Sequence, residues 1–122
     1  MIFLSDKLIF PPVTLADENG LLAVGGDLSP ARLLLAYKSG IFPWYNPGEP
    51  IIWYSPDPRM VLYPSQLKVS KSLRKILDKG GFKVTYNQNF KKVIFNCKNI
   101  KRKDALGTWI TDEMEQAYIQ LH

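Results

Sequence analysis

The sequence predicts an α+β fold in which helices and short strands follow one another along the chain. Capping residues precede several segments whose apolar side chains recur at three- and four-residue spacing, which is typical of amphipathic helices. Short runs of β-branched and aromatic residues, bounded by proline and glycine, indicate strands. The chain has 122 residues, of which 46% are hydrophobic and 22% charged, so it can bury a core. This composition excludes disordered, collagen-like and coiled-coil proteins.

The first predicted helix follows a turn-rich N-terminal region. Ser29 is a suitable N-cap, and Gly40 is the expected C-terminal stop. Leu33, Leu34 and Tyr37 recur between them at helical spacing. This pattern predicts a helix with one apolar face.

Three segments rich in β-branched and aromatic residues predict short strands. They are residues 51–54, 60–63 and 82–86. Prolines within residues 55–59 keep the connection between the first two out of a helix. We therefore expect two strands that flank residues 55–59 and a third at residues 82–86.

Three further helices are expected in the second half, each beginning after a capping side chain. The caps are Ser70, Asn89 and Thr111. Apolar residues at helical spacing predict the inner face of each helix. These residues are Leu73, Ile76 and Leu77 in the first, Phe90, Val93, Ile94 and Cys97 in the second, and Met114, Ala117, Tyr118 and Leu121 in the third.

Positive charge is concentrated in the second half of the chain. The net charge is +5, but the 36 residues from Lys68 to Lys103 contain twelve basic side chains and one acidic one, Asp78. Such a stretch, at +11, favours a polyanionic partner such as RNA, DNA or an anionic membrane surface. The alternative is a solvated surface that keeps the protein soluble.

Several functional classes lack the residues that they require. The longest uncharged run is residues 39–48, ten residues, whereas a membrane span needs about 18 to 20. The N-terminus has no signal-peptide pattern, and one cysteine, Cys97, points to a reducing cytoplasm. One histidine and one cysteine do not suffice for a zinc site. Phosphate-loop and dinucleotide-binding motifs are absent from the sequence.

A series of longer motifs is more specific than this generic chemistry. In order they are NGLLAVGGDLSP at 19–30, RLLLAY at 32–37, GIFPWY at 40–45, WYSPDPR at 53–59, GTWIT at 107–111 and AY at 117–118. The series resembles the N-terminal portion of the bacterial leucyl/phenylalanyl-tRNA–protein transferase family. The resemblance covers essentially all 122 residues.

The resemblance implies a fold and an activity. It implies a small N-terminal α/β domain at residues 1–62, followed at residues 63–122 by the first part of a GNAT-like acyltransferase domain. The family moves Leu, or Phe or Met, from charged tRNA to the N-terminal amine of proteins beginning with Arg or Lys, which marks them for degradation. No cofactor is expected, because the charged tRNA is itself a substrate. A cytoplasmic protein that is monomeric when full length, without a bound metal or a membrane partner, is expected.

The resemblance also implies a binding site for the aminoacyl-adenosine end of the tRNA. It assigns Trp44 and Trp109 to that end and places Tyr118, and more weakly Tyr37, near the substrate. The alternative for both tryptophans is that they are core aromatics, and for Tyr118 that it is a packed tyrosine with a satisfied hydroxyl. The family's proton-relay residues match no position in this sequence, so the catalytic residues are unknown.

Basic residues of the second half are the expected contacts to tRNA phosphates. Lys71, Arg74 and Lys75 share one face of a predicted helix. The residues that could extend this patch are Lys91, Lys92, Lys98, Lys101, Arg102 and Lys103. Three other possibilities stay open at this point: a non-catalytic RNA-binding module, an inactive fragment of the transferase, and an acetyl-CoA-dependent acyltransferase. The last usually carries a glycine-rich pyrophosphate loop, which this sequence lacks.

Overall fold

A computed structural model describes residues 1–101 and 108–122 of the chain. Within these residues it contains four α-helices and one four-stranded sheet, so the fold is mixed α/β. In chain order the elements are β1 (Phe3–Leu4), β2 (Leu21–Gly25), α1 (Pro30–Lys38), β3 (Phe42–Pro43), β4 (Ile52–Tyr54), α2 (Lys71–Asp78), α3 (Phe90–Asn99) and α4 (Asp112–Leu121). None of the helices described is long and apolar enough to cross a membrane.

The chain forms two compact units. The first combines Met1–Asp57 with Phe90–His122 and holds the sheet together with α1, α3 and α4. The second consists of Pro58–Asn89 and holds α2. The predicted division between residues 62 and 63 follows the family's order of domains and stays a prediction.

The sheet of the first unit has the strand order β1-β2-β4-β3. β1 and β2 are parallel, whereas β2 and β4, and β4 and β3, are antiparallel. The indole N–H of Trp53 on β4 donates to the carbonyl of Gly25 on β2 at 2.9 Å. Because this indole is wholly buried, the hydrogen bond satisfies its one polar group and fixes the register of the two central strands.

Two clusters of buried side chains hold the first unit together. The first joins β2 and β4 to α1 and α4 through Leu22, Ala23, Leu33, Ala36, Ile41, Trp53 and Ala117. The second joins the loop after β3 to α3 and α4 through Tyr45, Ile94, Ile110 and Met114. Helix α4 therefore packs on both clusters and positions the residues that precede it.

Local capping signals are confirmed at three helices. The Ser29 hydroxyl accepts a hydrogen bond from the Arg32 amide at 3.3 Å, and α1 begins at the next residue. Ser70 caps α2 and Thr111 caps α4 in the same way. Each cap satisfies an amide at the first turn that has no partner within its helix. Gly40 adopts a φ of +73°, a conformation that ends α1 without a steric penalty.

The predicted burial of the helices is only partly confirmed. Met114 and Ala117 of α4 are buried as expected. On α1, however, Leu34 and Tyr37 are exposed, and the buried positions are Arg32, Leu33 and Ala36. The direction in which α1 packs on the sheet decides which apolar residues are covered, and sequence spacing alone leaves the choice between neighbouring faces open.

Two of the three strand predictions are wrong. Residues 51–54 contain β4, but residues 60–63 and 82–86, both in the second unit, form no strand. A segment of β-branched and aromatic residues forms a strand only when it pairs with a neighbouring strand and packs against another layer of the fold. All 32 residues of this unit except Val69 are exposed, so the unit contains no buried layer against which a strand could pack.

The predicted inner faces of α2, in the second unit, and of α3, in the first, are also partly wrong. Leu73, Ile76 and Leu77 of α2 are exposed, because their small unit provides no layer to cover them. In α3, Ile94 is the buried position. Val93 and Cys97 are exposed, so the prediction that Cys97 belongs to the core is wrong.

Candidate functional site

Trp44 lies at the edge of the sheet with its ring half exposed. Its backbone amide donates to the carbonyl of Ile52 at 2.9 Å, which extends the pairing of β3 with β4 by one residue. The side chain is 55% exposed and lies tilted beside Tyr54, with the ring centroids 6.1 Å apart. Trp53, on the neighbouring strand, is by contrast completely buried. The sheet therefore holds the Trp44 backbone rigidly while leaving part of the indole open to a ligand.

Trp109 occupies a tight turn immediately before α4. The Thr108 hydroxyl accepts from the Ile110 amide at 3.2 Å, and the Trp109 carbonyl accepts from the Thr111 amide at 3.1 Å. Ile110 enters the second core cluster, whereas Trp109 is 40% exposed. The buried isoleucine and the helix cap thus anchor a turn that presents an indole at the surface.

Residues next to both tryptophans line one cavity of about 530 Å³. Tyr45, which follows Trp44, forms one side of the cavity. Thr108 and Ile110, which flank Trp109, form another. The cavity size falls in the range of small-molecule sites. Trp44 itself borders a smaller cavity of about 210 Å³, which it shares with Tyr45 and Tyr54.

Tyr37 and Tyr118 are brought together by the packing of α1 on α4. Their hydroxyl groups are hydrogen-bonded, and their rings meet edge to face with centroids 6.4 Å apart. Burial raises the pKa of Tyr118, and the hydrogen bond with Tyr37 raises it further. Tyr118 therefore stays protonated at neutral pH and can take part in hydrogen bonds as a donor or an acceptor.

The basic residues assigned to phosphates fall in both units. Lys71, Arg74 and Lys75 are exposed on α2 in the second unit, at positions that share one face of the helix. In the first unit, Lys91 and Lys92 are exposed near the start of α3, and Lys101 is exposed after its end. Arg102 and Lys103, the other two predicted contacts, lie outside the described residues.

Lys98 differs from the other lysines because it is already paired with carboxylates. Its ammonium donates to the carboxylate of Asp112 and, at 2.8 Å, to that of Glu115. The Asp112 carboxylate, and then that of Glu115, raise the pKa of Lys98. This charge therefore fastens α3 to α4 and is less available to a phosphate than those of Lys91 and Lys92.

Arg32 was missed by the sequence analysis. Its guanidinium is completely buried and donates to the Asp27 carboxylate at 3.0 Å and to the carbonyls of Ser5 and Lys7 at 3.0 and 3.1 Å. Arg32 therefore ties the N-terminal segment to α1. The sequence feature that could have indicated its burial was its four-residue spacing from Ala36, which places both side chains on one face of a helix.

Tyr45 was also missed. It is 4% exposed, and its hydroxyl makes no hydrogen bond with any residue that the structure describes. Burial raises the pKa of Tyr45. Its position next to Trp44 in a proline-flanked loop was the only sequence signal, and that signal does not indicate burial.

No group of acidic, histidine or cysteine side chains that could hold a metal occurs among residues 1–101 and 108–122. The fold and the site together define a mixed α/β protein with exposed aromatic side chains around a cavity.

Comparison with known proteins identifies the family to which this chain belongs. Residues 61–122 match the family model of the leucyl/phenylalanyl-tRNA protein transferase, and residues 26–57 match the model of the N-terminal domain of the same transferase. The chain belongs to the leucyl/phenylalanyl-tRNA–protein transferase family, which confirms the resemblance of the motifs.

Individual relatives agree with the family models. The chain is 64% identical over 122 residues to the leucyl/phenylalanyl-tRNA–protein transferase of Flavobacterium johnsoniae, covering 100% of this chain and 58% of the relative. The protein of the same name from Christiangramia forsetii is 56% identical over 122 residues, with the same coverage. That of Syntrophus aciditrophicus is 58% identical over 119 residues, covering 98% of this chain and 50% of the relative. The chain thus spans about half the length of these relatives.

Proposed function

We propose that the protein acts in aminoacyl transfer from charged tRNA to the N-terminal amine of another protein. The aminoacyl group is Leu, or Phe or Met, and the acceptor begins with Arg or Lys and is thereby marked for degradation. Family membership supports the reaction class. The observation that carries the proposal is the difference among the tryptophans: Trp53 fills the core, whereas Trp44 and Trp109 leave ring surface exposed.

The reaction depends more on holding the ester and the amine together than on a nucleophilic side chain. An aminoacyl ester is already activated, and an α-amine with a pKa of about 7.7 to 8.0 is partly free base near neutral pH. Holding ester and amine in contact can supply several kcal/mol of the barrier reduction. A site built from aromatic surfaces and hydroxyl groups is suited to this task.

We assign Trp44 and Trp109 to the terminal adenosine. Stacking of a base on an aromatic side chain contributes about 1 to 3 kcal/mol. The strand pairing of Trp44 and the helix cap beside Trp109 fix both backbones before the ligand arrives. Less conformational entropy is then lost on binding.

We assign Tyr37 and Tyr118 to the positioning of the substrate. Their hydrogen bond holds Tyr118 in one orientation, and the raised pKa keeps its phenol neutral. A neutral phenol can donate to an ester or ribose oxygen without adding charge to the site.

We assign the exposed basic residues to tRNA phosphates. They are Lys71, Arg74 and Lys75 on α2, Lys91, Lys92 and Lys101 in the first unit, and the undescribed Arg102 and Lys103. Phosphate contacts hold the acceptor stem without reading its sequence. Each contact steepens the log–log salt dependence of binding by about 0.7 to 0.9.

The remaining parts of the proposal rest on the family. They are the GNAT-like character of residues 63–122, the division at residue 62, a cytoplasmic monomer, and a reaction that uses no cofactor or metal. The reaction supports this last part, because aminolysis of an ester needs neither an oxidant nor an activated co-substrate.

A transfer assay with two peptides tests the proposal. The chain is mixed with radiolabelled leucyl-tRNA and a peptide that begins with Arg, and a peptide differing only in an N-terminal Gly is the control. We expect label on the Arg peptide alone. Salt-sensitive binding of charged tRNA without transfer would support the non-catalytic RNA-binding alternative. Absence of both would contradict the proposal.

A further inference from the structure

Three aromatic side chains share one face of the sheet at its β3 edge. Phe42 of β3 is paired with Tyr54 of β4, and the Trp44 amide donates to the carbonyl of Ile52, two residues along each strand. Because side chains alternate between the faces of a sheet, the three rings lie on one face, and Trp53 lies on the other, within the core. Aromatic side chains on neighbouring strands are the arrangement with which some four-stranded sheets stack successive RNA bases.

Trp44 and Tyr54 form the two sides of a cleft on this face. Their ring centroids are 6.1 Å apart and their planes are inclined at 55°, so the rings do not pack face to face. Phe42 lies on Tyr54 with the centroids 6.1 Å apart and the planes at 23°. Phe42 therefore supports the Tyr54 ring, while the Trp44 ring beside it stays half exposed.

The cleft opens into the cavity of about 210 Å³, whose lining residues are Trp44, Tyr45, Asn46, Glu49 and Tyr54. This volume is below the range of whole small-molecule sites, so it suits one planar ring system better than a complete nucleotide. The cavity adjoins the larger one of about 530 Å³, because Tyr45 and Glu49 line both. Two consecutive nucleotides of a single strand can therefore occupy neighbouring positions on this surface.

The polar part of the lining suits the edge of a base better than a phosphate. The backbone and side-chain amides of Asn46 donate to the Glu49 carboxylate at 2.8 and 3.1 Å. These hydrogen bonds lower the pKa of Glu49, so the carboxylate is ionised at neutral pH. None of the described residues that line the cavity is basic. A carboxylate repels a phosphate, but it accepts a hydrogen bond from the exocyclic amino group of a base such as cytosine.

We propose that this cavity binds the base that precedes the terminal adenosine of the charged tRNA, held between Trp44 and Tyr54, with Glu49 accepting from its exocyclic amino group. This inference rests on the proposed function, which assigns Trp44 to the terminal adenosine. An indole has two faces, so Trp44 can contact one base inside the cavity and the next base outside it. Tyr54, which the proposed function does not use, becomes a contact to the RNA.

Binding of dinucleotides tests this site without the rest of the tRNA. The probes are CpA, the same dinucleotide with an abasic ribose in place of cytidine, and UpA, in which a carbonyl replaces the amino group. Equilibrium dialysis with labelled probes gives their affinities. We expect CpA to bind at least about fivefold tighter than the abasic dinucleotide, through stacking. It should bind about two- to tenfold tighter than UpA, through one hydrogen bond.

Substitutions in the lining assign each preference to a side chain. Tyr54→Leu keeps an apolar residue on β4 but removes the ring, so the preference for CpA over the abasic dinucleotide should largely disappear. Tyr54→Trp restores a flat ring and should restore that preference. Glu49→Gln should remove the preference for CpA over UpA, because an amide can pair with either base. The matched control, Tyr86→Leu, removes an exposed tyrosine outside the lining and should keep both preferences.

Equal affinity of the parent chain for CpA and the abasic dinucleotide, or an unchanged preference in Tyr54→Leu, would overturn the proposed site. Equal affinity for CpA and UpA would overturn the role of Glu49.

A second measurement separates this site from the proposed function. The affinity of the same chains for leucyl-tRNA is determined alongside the dinucleotides. Trp109→Ala should weaken CpA and the abasic dinucleotide by the same factor, because Trp109 is assigned to the adenosine that both contain. Retained binding of leucyl-tRNA by a parent chain that does not distinguish the two dinucleotides would overturn this inference alone. Absence of binding to leucyl-tRNA and to every dinucleotide would contradict the proposed function, and this inference with it.

Discussion

The hydroxyl of Tyr37 on α1 is hydrogen-bonded to the hydroxyl of Tyr118 on α4, 81 positions further along the chain. The contact joins the helix that follows β2 to the helix that follows Trp109. It therefore links α1 directly to α4. Tyr37 is exposed on one side of this pair, whereas Tyr118 is partly buried.

Removing either hydroxyl should destabilise the protein by about 1 kcal/mol, the usual net value of one hydrogen bond. A double-mutant cycle with Tyr37→Phe and Tyr118→Phe should show that the two losses are not additive, because each removes the same bond. Urea denaturation measures the four free energies of unfolding. Tyr63→Phe, at an exposed position of the second unit, is the control and should have little effect. Additive losses would contradict the bond.

Replacing the buried guanidinium of Arg32 should lower the free energy of unfolding more than removing either tyrosine hydroxyl does. Arg32→Met leaves the carbonyls of Ser5 and Lys7 without their donors, so we expect a loss of about 2 to 4 kcal/mol. Urea denaturation is again the measurement. Arg74→Met, at an exposed position of α2, is the matched control and should change the free energy of unfolding by less than about 0.5 kcal/mol. Equal effects of the two substitutions would contradict the described packing.

Asp27 should contribute to the loss of stability in acid. The Ser29 side chain, assisted by the Ser29 amide and by Arg32, holds the pKa of Asp27 below its ordinary value. Since the folded-state pKa is lower than the unfolded one of about 3.9, this stabilisation is present above pH 4 and is lost as the pH falls through the folded-state pKa.

Asp27→Asn should therefore flatten the fall in stability below about pH 4. The expected change is modest, because Asp27 is half exposed and solvent screens its ion pair. Thermal unfolding at a series of pH values measures it. Asp78→Asn, which removes an exposed carboxylate from α2, should retain the steeper dependence of the parent chain. Identical profiles for the parent and Asp27→Asn would refute this account.

Phosphate contacts by α2 should be visible in the salt dependence of tRNA binding. Replacing Lys71, Arg74 and Lys75 together by Ala should weaken binding and reduce the log–log slope by about 2 to 3, since each phosphate contact contributes about 0.7 to 0.9. Filter binding at several salt concentrations gives the slope. A triple substitution of Lys7, Lys38 and Lys83 removes the same charge from other exposed positions and should change the slope less. Equal slopes in the two variants would contradict the assignment of phosphate contacts to α2.

Sequence patterns predicted the features that depend on a few neighbouring residues. Ser29, Ser70 and Thr111 cap helices as expected, because a cap is completed within four residues of the chain. The strands at 60–63 and 82–86 failed because a strand needs a partner that its own sequence does not specify.

At the candidate site, too, the sequence indicated individual residues but not their tertiary contacts. The motifs led to both exposed tryptophans and to the Tyr37–Tyr118 pair, but the contact between the two hydroxyls depends on the packing of α1 on α4. The burial of Arg32 and Tyr45 also arises from that tertiary packing. Neither residue belongs to a type that is usually buried, so composition did not indicate their positions, although the spacing of Arg32 from Ala36 placed it on the buried face of α1.

We propose that Trp44 and Trp109 hold the aminoacyl-adenosine end of charged tRNA. The most direct test is the affinity for leucyl-tRNA of the parent chain, Trp44→Ala and Trp109→Ala, with Phe82→Ala as a control for loss of an exposed aromatic ring. We predict a loss of about 5- to 150-fold for each tryptophan, the equivalent of 1 to 3 kcal/mol of stacking, and little change for Phe82→Ala. Unchanged affinity in both tryptophan variants, with the fold intact by circular dichroism, would contradict the account.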